Sequence, residues 1–93
     1  MAHLITPDGV SIRITPKNGE HFILEELQGL VDGLIEVVRT PDPRRIMVIN
    51  EEGKLMDLAP NLVASALYGF RDTIVGNAVT GTEYELFGPQ DED

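Results

Sequence analysis

Cysteine is absent from the 93-residue chain, which excludes disulfides, zinc–thiolate sites and thiol catalysis. Long apolar runs are absent too. The longest, such as Ile46-Met47-Val48-Ile49, fall far short of a bilayer span, so no membrane segment is expected. Met1-Ala2-His3-Leu4 lacks a charged stretch followed by an apolar one, so no secretory signal is expected and the cytoplasm is the expected compartment, the host's if a phage encodes the chain. Basic side chains are scarce: seven Lys and Arg against sixteen acids give a formal charge of −9. Asp91, Glu92 and Asp93 account for three negatives and leave −6 on the body. Such a charge repels nucleic acid and anionic membranes unless the few cations cluster, and its plainest role is solubility. Direct nucleic-acid binding is not expected. There is no internal repeat, and no Gly-x-x-x-x-Gly-Lys-Ser/Thr or Gly-x-Gly-x-x-Gly run to cradle phosphates.

What is present suits one small domain. The expected boundaries are residues 1–88 for the domain and 89–93 for a disordered acidic tail. Apolar content of 42% is ordinary for a folded chain. A domain this small buries only about two-thirds of its unfolded surface, so a homo-oligomer that hides more apolar area is expected.

Residues 4–6 lead into Pro7-Asp8-Gly9, a turn in which Pro presets φ and Gly accepts positive φ. Residues 10–15 then alternate, which puts Val10, Ile12 and Ile14 on a core face and Ser11 and Arg13 outside; the pair reads as a hairpin. Ile23, Leu27, Leu30, Val31 and Leu34 recur at helical spacing, with Glu25, Glu26 and Gln28 opposite and Gly33 placed to end the helix. Residues 34–39 read as a strand, and 46–49, apolar on both faces, as a central one. Asn50-Glu51-Glu52-Gly53 reads as a turn with positive φ at Gly53, and residues 54–56 as extended chain. A second helix is expected from Pro60-Asn61 to about Tyr68, with either Asn61 as its cap or Pro60 as its first residue, and Leu62, Val63, Ala66, Leu67 and Phe70 inward. Residues 72–79, bent at Gly76-Asn77, and the alternating residues 82–87 complete the strands. The expected fold is α+β: a mostly antiparallel curved sheet of five or six strands with two helices packed on one side.

Catalytic chemistry finds little purchase. His21 and Glu25 are four apart, but a metal site needs further ligands, and a surface pair at a helix start explains them better. His3 carries no motif. Neither Ser11 nor Ser65 occupies a nucleophile elbow. Glu51 and Glu52 are adjacent in a turn and tend to diverge rather than share a proton, and Asp57 and Asp72 lack partners. No enzyme activity, metal or cofactor is expected.

One polar cluster stands out: Asn50, Glu51, Glu52, Gly53 and Lys54, together with Asn61. Two amides, a glycine that lets backbone approach a ligand and one ammonium can together recognise a polar small molecule. Arg44 and Arg45 would add anion contacts if the fold brings them near. The competing reading is a hairpin turn plus a helix cap, for which these residues are ordinary chemistry.

Leu27-Gln28-Gly29-Leu30-Val31-Asp32-Gly33-Leu34-Ile35-Glu36-Val37 resembles the LQ-x-x-VGGYIE-V segment of a family known only as a domain of unknown function. Asn50-Glu51-Glu52-Gly53-Lys54-Leu55, followed by Leu58-Ala59-Pro60-Asn61, is similar to that family's NEEGKL-x-x-LPxN signature, and residues 74–79 to its IVGDAVV strand. The likeness covers roughly residues 10–81. Asp32 stands where the family has the first glycine of a pair, and Leu34 where it has a Tyr that could stack on a ligand. The resemblance implies a phage or mobile-element setting and no particular activity. In that setting the expectation is a non-catalytic, homo-oligomeric protein sequestering a nucleotide-like immune signal. The alternative is an acidic inhibitor or accessory subunit that mimics nucleic acid and binds a host or phage protein.

Overall fold

In the computed structural model, which describes residues 1–89, Pro7-Asp8-Gly9 turns the chain between β1 (Ala2–Ile5) and β2 (Ser11–Ile14). Gly9 takes φ 88°, and the Thr6 amide donates to the Val10 carbonyl at 2.9 Å. The hairpin register pairs Leu4 with Ile12 and Ala2 with Ile14, so Ile12 and Ile14 do lie on the core side. β2 is an edge strand, however, and Val10 and Ile12 stay exposed while Ile14 packs inward.

The rest of the chain adds α1 (Leu24–Val31), β3 (Ile35–Arg39), β4 (Ile46–Asn50), α2 (Leu62–Leu67), β5 (Ala78–Gly81) and α3 (Glu83–Phe87). All strand pairings are antiparallel, in the order β2-β1-β5-β4-β3. The α+β class and the antiparallel sheet are as the sequence implies, with five strands among the described residues. Among the described residues the helices number three and lie on both faces. α1 and α3 cover Ala2, Ile46, Val48 and Val79 with Leu27, Val31 and Leu86. α2 brings Ala64 over Ile5, Met47 and Ala78 on the opposite face.

Several local readings change. The strand expected at residues 72–79 begins only at Ala78, with Val75 in an isolated bridge to Pro60, and Ile23 and Leu34 of the expected helical stripe are exposed at the ends of α1. Residues 82–87 form a helix rather than a strand, because the Thr82 side chain accepts from the Glu85 amide and the Glu85 carboxylate accepts from the Thr82 amide. Residues 51–57 form consecutive turns, so the extended chain expected at 54–56 is not formed, with Met56 N–H donating to Glu52 C=O at 2.9 Å and Leu58 N–H to Gly53 C=O at 3.0 Å. α2 presents the reverse of its expected face: Ala64 and Ser65 are buried, whereas Leu62, Val63, Ala66, Leu67 and Phe70 are exposed. The expected tail at 89–93 lies outside the described residues apart from Pro89.

α1 starts and stops on its own sequence. Ile23 has no side-chain acceptor, so capping falls to Glu26, whose carboxylate accepts the Ile23 and Lys17 amides at 3.0 Å each. Those N–H donors, Lys17's first, hold the Glu26 carboxyl below its ordinary range. The helix ends on Asp32, not Gly33, in the left-handed conformation (φ 64°, ψ 35°). Gly33 is required for another reason: a Cβ there would lie 2.8 Å from Asn50 Nδ2. Asp32 thus occupies, with a side chain, the conformation glycine adopts most easily. Asp32→Gly is expected to raise unfolding free energy by about 0.5–1 kcal/mol, read from the urea midpoint. An unchanged or lower midpoint would show that the left-handed turn costs this chain nothing.

Candidate functional site

Asn50 ends β4 beneath the C-terminus of α1 and is almost fully buried. Its Nδ2 donates to the carbonyls of Val31 (3.0 Å) and Asp32 (3.3 Å), and its Oδ1 accepts the Glu52 amide at 2.8 Å. The side chain therefore caps a helix and pins a turn at once. Gly53 does not take positive φ; it is buried with an added Cβ falling 2.8 Å from Val75 Cγ2, so the glycine serves close approach.

Asn61 is fully buried on the other face of the sheet. Its Oδ1 accepts the Ala64 amide, and its Nδ2 donates to the carbonyls of Ile5 and Gly76, both at 2.9 Å. Every hydrogen-bonding position of that amide is engaged except one lone pair. Ser65 beside it donates to the Asn61 carbonyl and accepts the Ile74 amide, which explains why a serine lies inward.

The expected cluster is therefore brought together only in part. Asn50, Glu51, Gly53 and Lys54 border a recess of about 170 Å³ with Tyr68, Asp72 and Ile74. Asn61 does not border it, Glu52 is exposed outside it, and Arg44 and Arg45 lie elsewhere. Lys54 Nζ is already held by both Asp72 carboxylate oxygens at 2.7 Å, which keeps the Asp72 carboxyl below its ordinary range. The recess is smaller than the ~300 Å³ at which ligand pockets begin, and its ammonium is engaged.

A larger recess, about 330 Å³, opens on the α2 side of the sheet. His3 of β1, Ser11 of β2 and Thr80 of β5 project from neighbouring strands, above a floor that includes Ile5. Thr40, Asp42 and Arg45 from the β3–β4 loop form one wall, and Leu67 of α2 another. The Thr40 hydroxyl lies 3.0 Å from the carbonyls of Asp42 and Arg45 and fastens the loop. Arg45 Nη2 donates to the Met1 carbonyl at 2.7 Å, so its guanidinium is held in place and makes no ion pair among the described residues. Arg44 pairs with Asp42 at 3.2 Å; its amide first, then its guanidinium, holds the Asp42 carboxyl low. Arg13 is the cross-strand neighbour of His3. Arg44 and Arg45 also border a neighbouring depression with Asp42 and Thr82.

Of the predicted residues, only Arg45 reaches this recess; His3, Ser11, Thr40 and Thr80 were not singled out. Alternation in residues 10–15 did assign Ser11 and Arg13 to the face away from the main core. What it lacked was the pairing of β1 with β5, which sets His3 opposite Thr80.

The His21–Glu25 pair does not form a site. The His21 ring lies edge-on to Tyr84, with Nδ1 3.0 Å from the Phe22 carbonyl, while Glu25 is exposed. Among the described residues no three His, Asp or Glu come together as a metal site, and no helix is long and apolar enough to cross a membrane.

The fold and recess define a small α+β protein with a concavity on one sheet face, mostly apolar in its lining, at which the Arg45 guanidinium and the Asp42 carboxylate are the charged groups. A model of the family described as a domain of unknown function (DUF3846) matches residues 1–86, every strand included, and the chain belongs to that family. No curated protein and no solved structure matches it.

Proposed function

We propose that this is a non-catalytic binding protein that takes a small anionic ligand of the nucleotide class in the recess lined by His3, Ser11, Thr40, Thr80 and Arg45. The observation carrying the reading is Arg45: a guanidinium that makes no ion pair among the described residues, fixed at the rim of a 330 Å³ concavity that it shares with Asp42, in a chain of net charge −9. Arg suits this task because its planar fork bonds phosphate in two places at once. Hydroxyls from Ser11 and Thr80 offer both donors and acceptors for a ribose or a base edge. The non-catalytic part of the reading rests on the sequence, in which neither Ser11 nor Ser65 occupies a nucleophile elbow. In a phage or mobile-element setting this activity amounts to sequestration of a nucleotide immune signal in the host cytoplasm, by a protein that acts as a homo-oligomer.

Titration calorimetry against AMP, 3′,5′-cyclic AMP, a cyclic dinucleotide and ADP-ribose tests it. At least one should give heat, and Arg45→Ala should weaken that binding about tenfold or more while Lys54→Ala leaves it unchanged. Silence from the whole panel, or binding lost with Lys54 and kept without Arg45, would overturn the reading.

A further inference from the structure

The outer side of α2 is apolar. Leu62 is 68% and Phe70 69% exposed, and Val63, Ala66 and Leu67 lie exposed between them. A helix normally turns its apolar stripe to the core; this one packs Ala64 and Ser65 inward and leaves the bulkier side chains to solvent. Phe70 sharpens the point. It follows Gly69 (φ 80°) with φ 54°, its amide donating to the Ser65 carbonyl at 2.8 Å. This is a left-handed helix-ending position that favours glycine or asparagine. An exposed phenylalanine there gains nothing for the isolated chain and spends backbone energy.

We propose that this stripe is the two-fold interface through which two copies of the chain pair, α2 against α2. The inference deepens the self-association proposed above and does not depend on the ligand. Charge identifies the partner. Residues 58–70 carry no acidic or basic side chain, in a chain of net charge −9. A second copy, equally acidic, can approach closely over such a neutral face with the least apposition of like charges. Area agrees. The five side chains expose on the order of 450 Å² of apolar surface, about the apolar share of the ~800 Å² that each partner gives to a standard interface. Ala66, small and midway along the stripe, lets the two helices come close. An isologous contact of this kind closes at two copies. Leu67 belongs both to the stripe and to the wall of the 330 Å³ recess, so the second copy would sit beside that opening.

Sedimentation and light scattering on the full chain, from about 1 to 100 μM, decide it. The expected mass is twice 10.2 kDa. Leu62→Lys and Phe70→Gly should each raise the dimer dissociation constant roughly tenfold or more. Leu24→Lys, at an exposed apolar position on α1, should not change it. Circular dichroism verifies that the variants fold; Phe70→Gly relieves the left-handed backbone, so a fall in mass from that variant cannot be laid to misfolding. A monomeric wild-type chain at 100 μM would overturn both self-association and this interface. A dimer that survives both substitutions would overturn the interface alone. The calorimetric panel stands apart from either result.

Discussion

Replacing Asn61 with alanine is expected to lower unfolding free energy by about 3–5 kcal/mol. Three backbone groups lose their partner together: the Ala64 N–H and the carbonyls of Ile5 and Gly76. Each is buried or nearly so, and a buried polar group left unpaired costs about 1–3 kcal/mol. Stability of a small domain is about 5–15 kcal/mol in all, so the variant should be partly unfolded near physiological temperature. Urea unfolding followed by far-ultraviolet circular dichroism reads the loss directly. Asn61→Asp separates capping from bridging. Aspartate caps a helix as well as asparagine does, but it cannot donate to two carbonyls and would face them with negative charge. It should therefore be at least as damaging as alanine. A neutral Asn61→Asp would mean that the residue is only a cap.

A second large effect belongs to Asn50. Asn50→Ala should cost about 2–4 kcal/mol, since the carbonyls of Val31 and Asp32 and the Glu52 amide all lose their partner. Gly33→Ala should cost about 1–3 kcal/mol, because the new methyl would lie 2.8 Å from Asn50 Nδ2 and displace that amide. The two substitutions act on one contact. With Asn50 already shortened, the methyl at position 33 has room, and the double variant should cost at least about 1 kcal/mol less than the two single losses added. A double-mutant cycle in urea measures the difference. Simple additivity would show that Gly33 is needed for its backbone and not for the space beside Asn50.

Much of the fold was readable where local chemistry is unambiguous. Pro7-Asp8-Gly9 specifies a tight turn, the spacing of Leu27, Leu30 and Val31 specifies a helix face, and the apolar β4 specifies an interior strand. The misreadings share a cause: a pattern of apolar residues says which side chains lie together, not which side is covered. Leu62, Val63, Ala66 and Leu67 do lie on one face of α2, with Phe70 just beyond its end, but that face points outward because Asn61 and Ser65 anchor the opposite one through buried hydrogen bonds. At residues 82–87 the alternation suggested a strand, although Thr82-x-x-Glu85 carried a helix-start signal that outweighed it. For the polar cluster, Asn50 and Asn61 serve as turn and cap, the role local chemistry had already offered. The recess at His3, Ser11, Thr80 and Arg45 was hidden because it depends on β1 meeting β5, across more than seventy residues of chain.

That same pairing sets the order in which the molecule can assemble. β5 lies at the middle of the sheet yet comes last among the strands in the chain. Until it leaves the ribosome, β1–β2 and β3–β4 are two separate hairpins, each too small to persist alone in water. Val79 and Ala78 then supply a central contact to each face at once. The nascent polypeptide should accordingly gain protease resistance in a single late step, and chains cut before residue 78 should be degraded rather than stored half-folded.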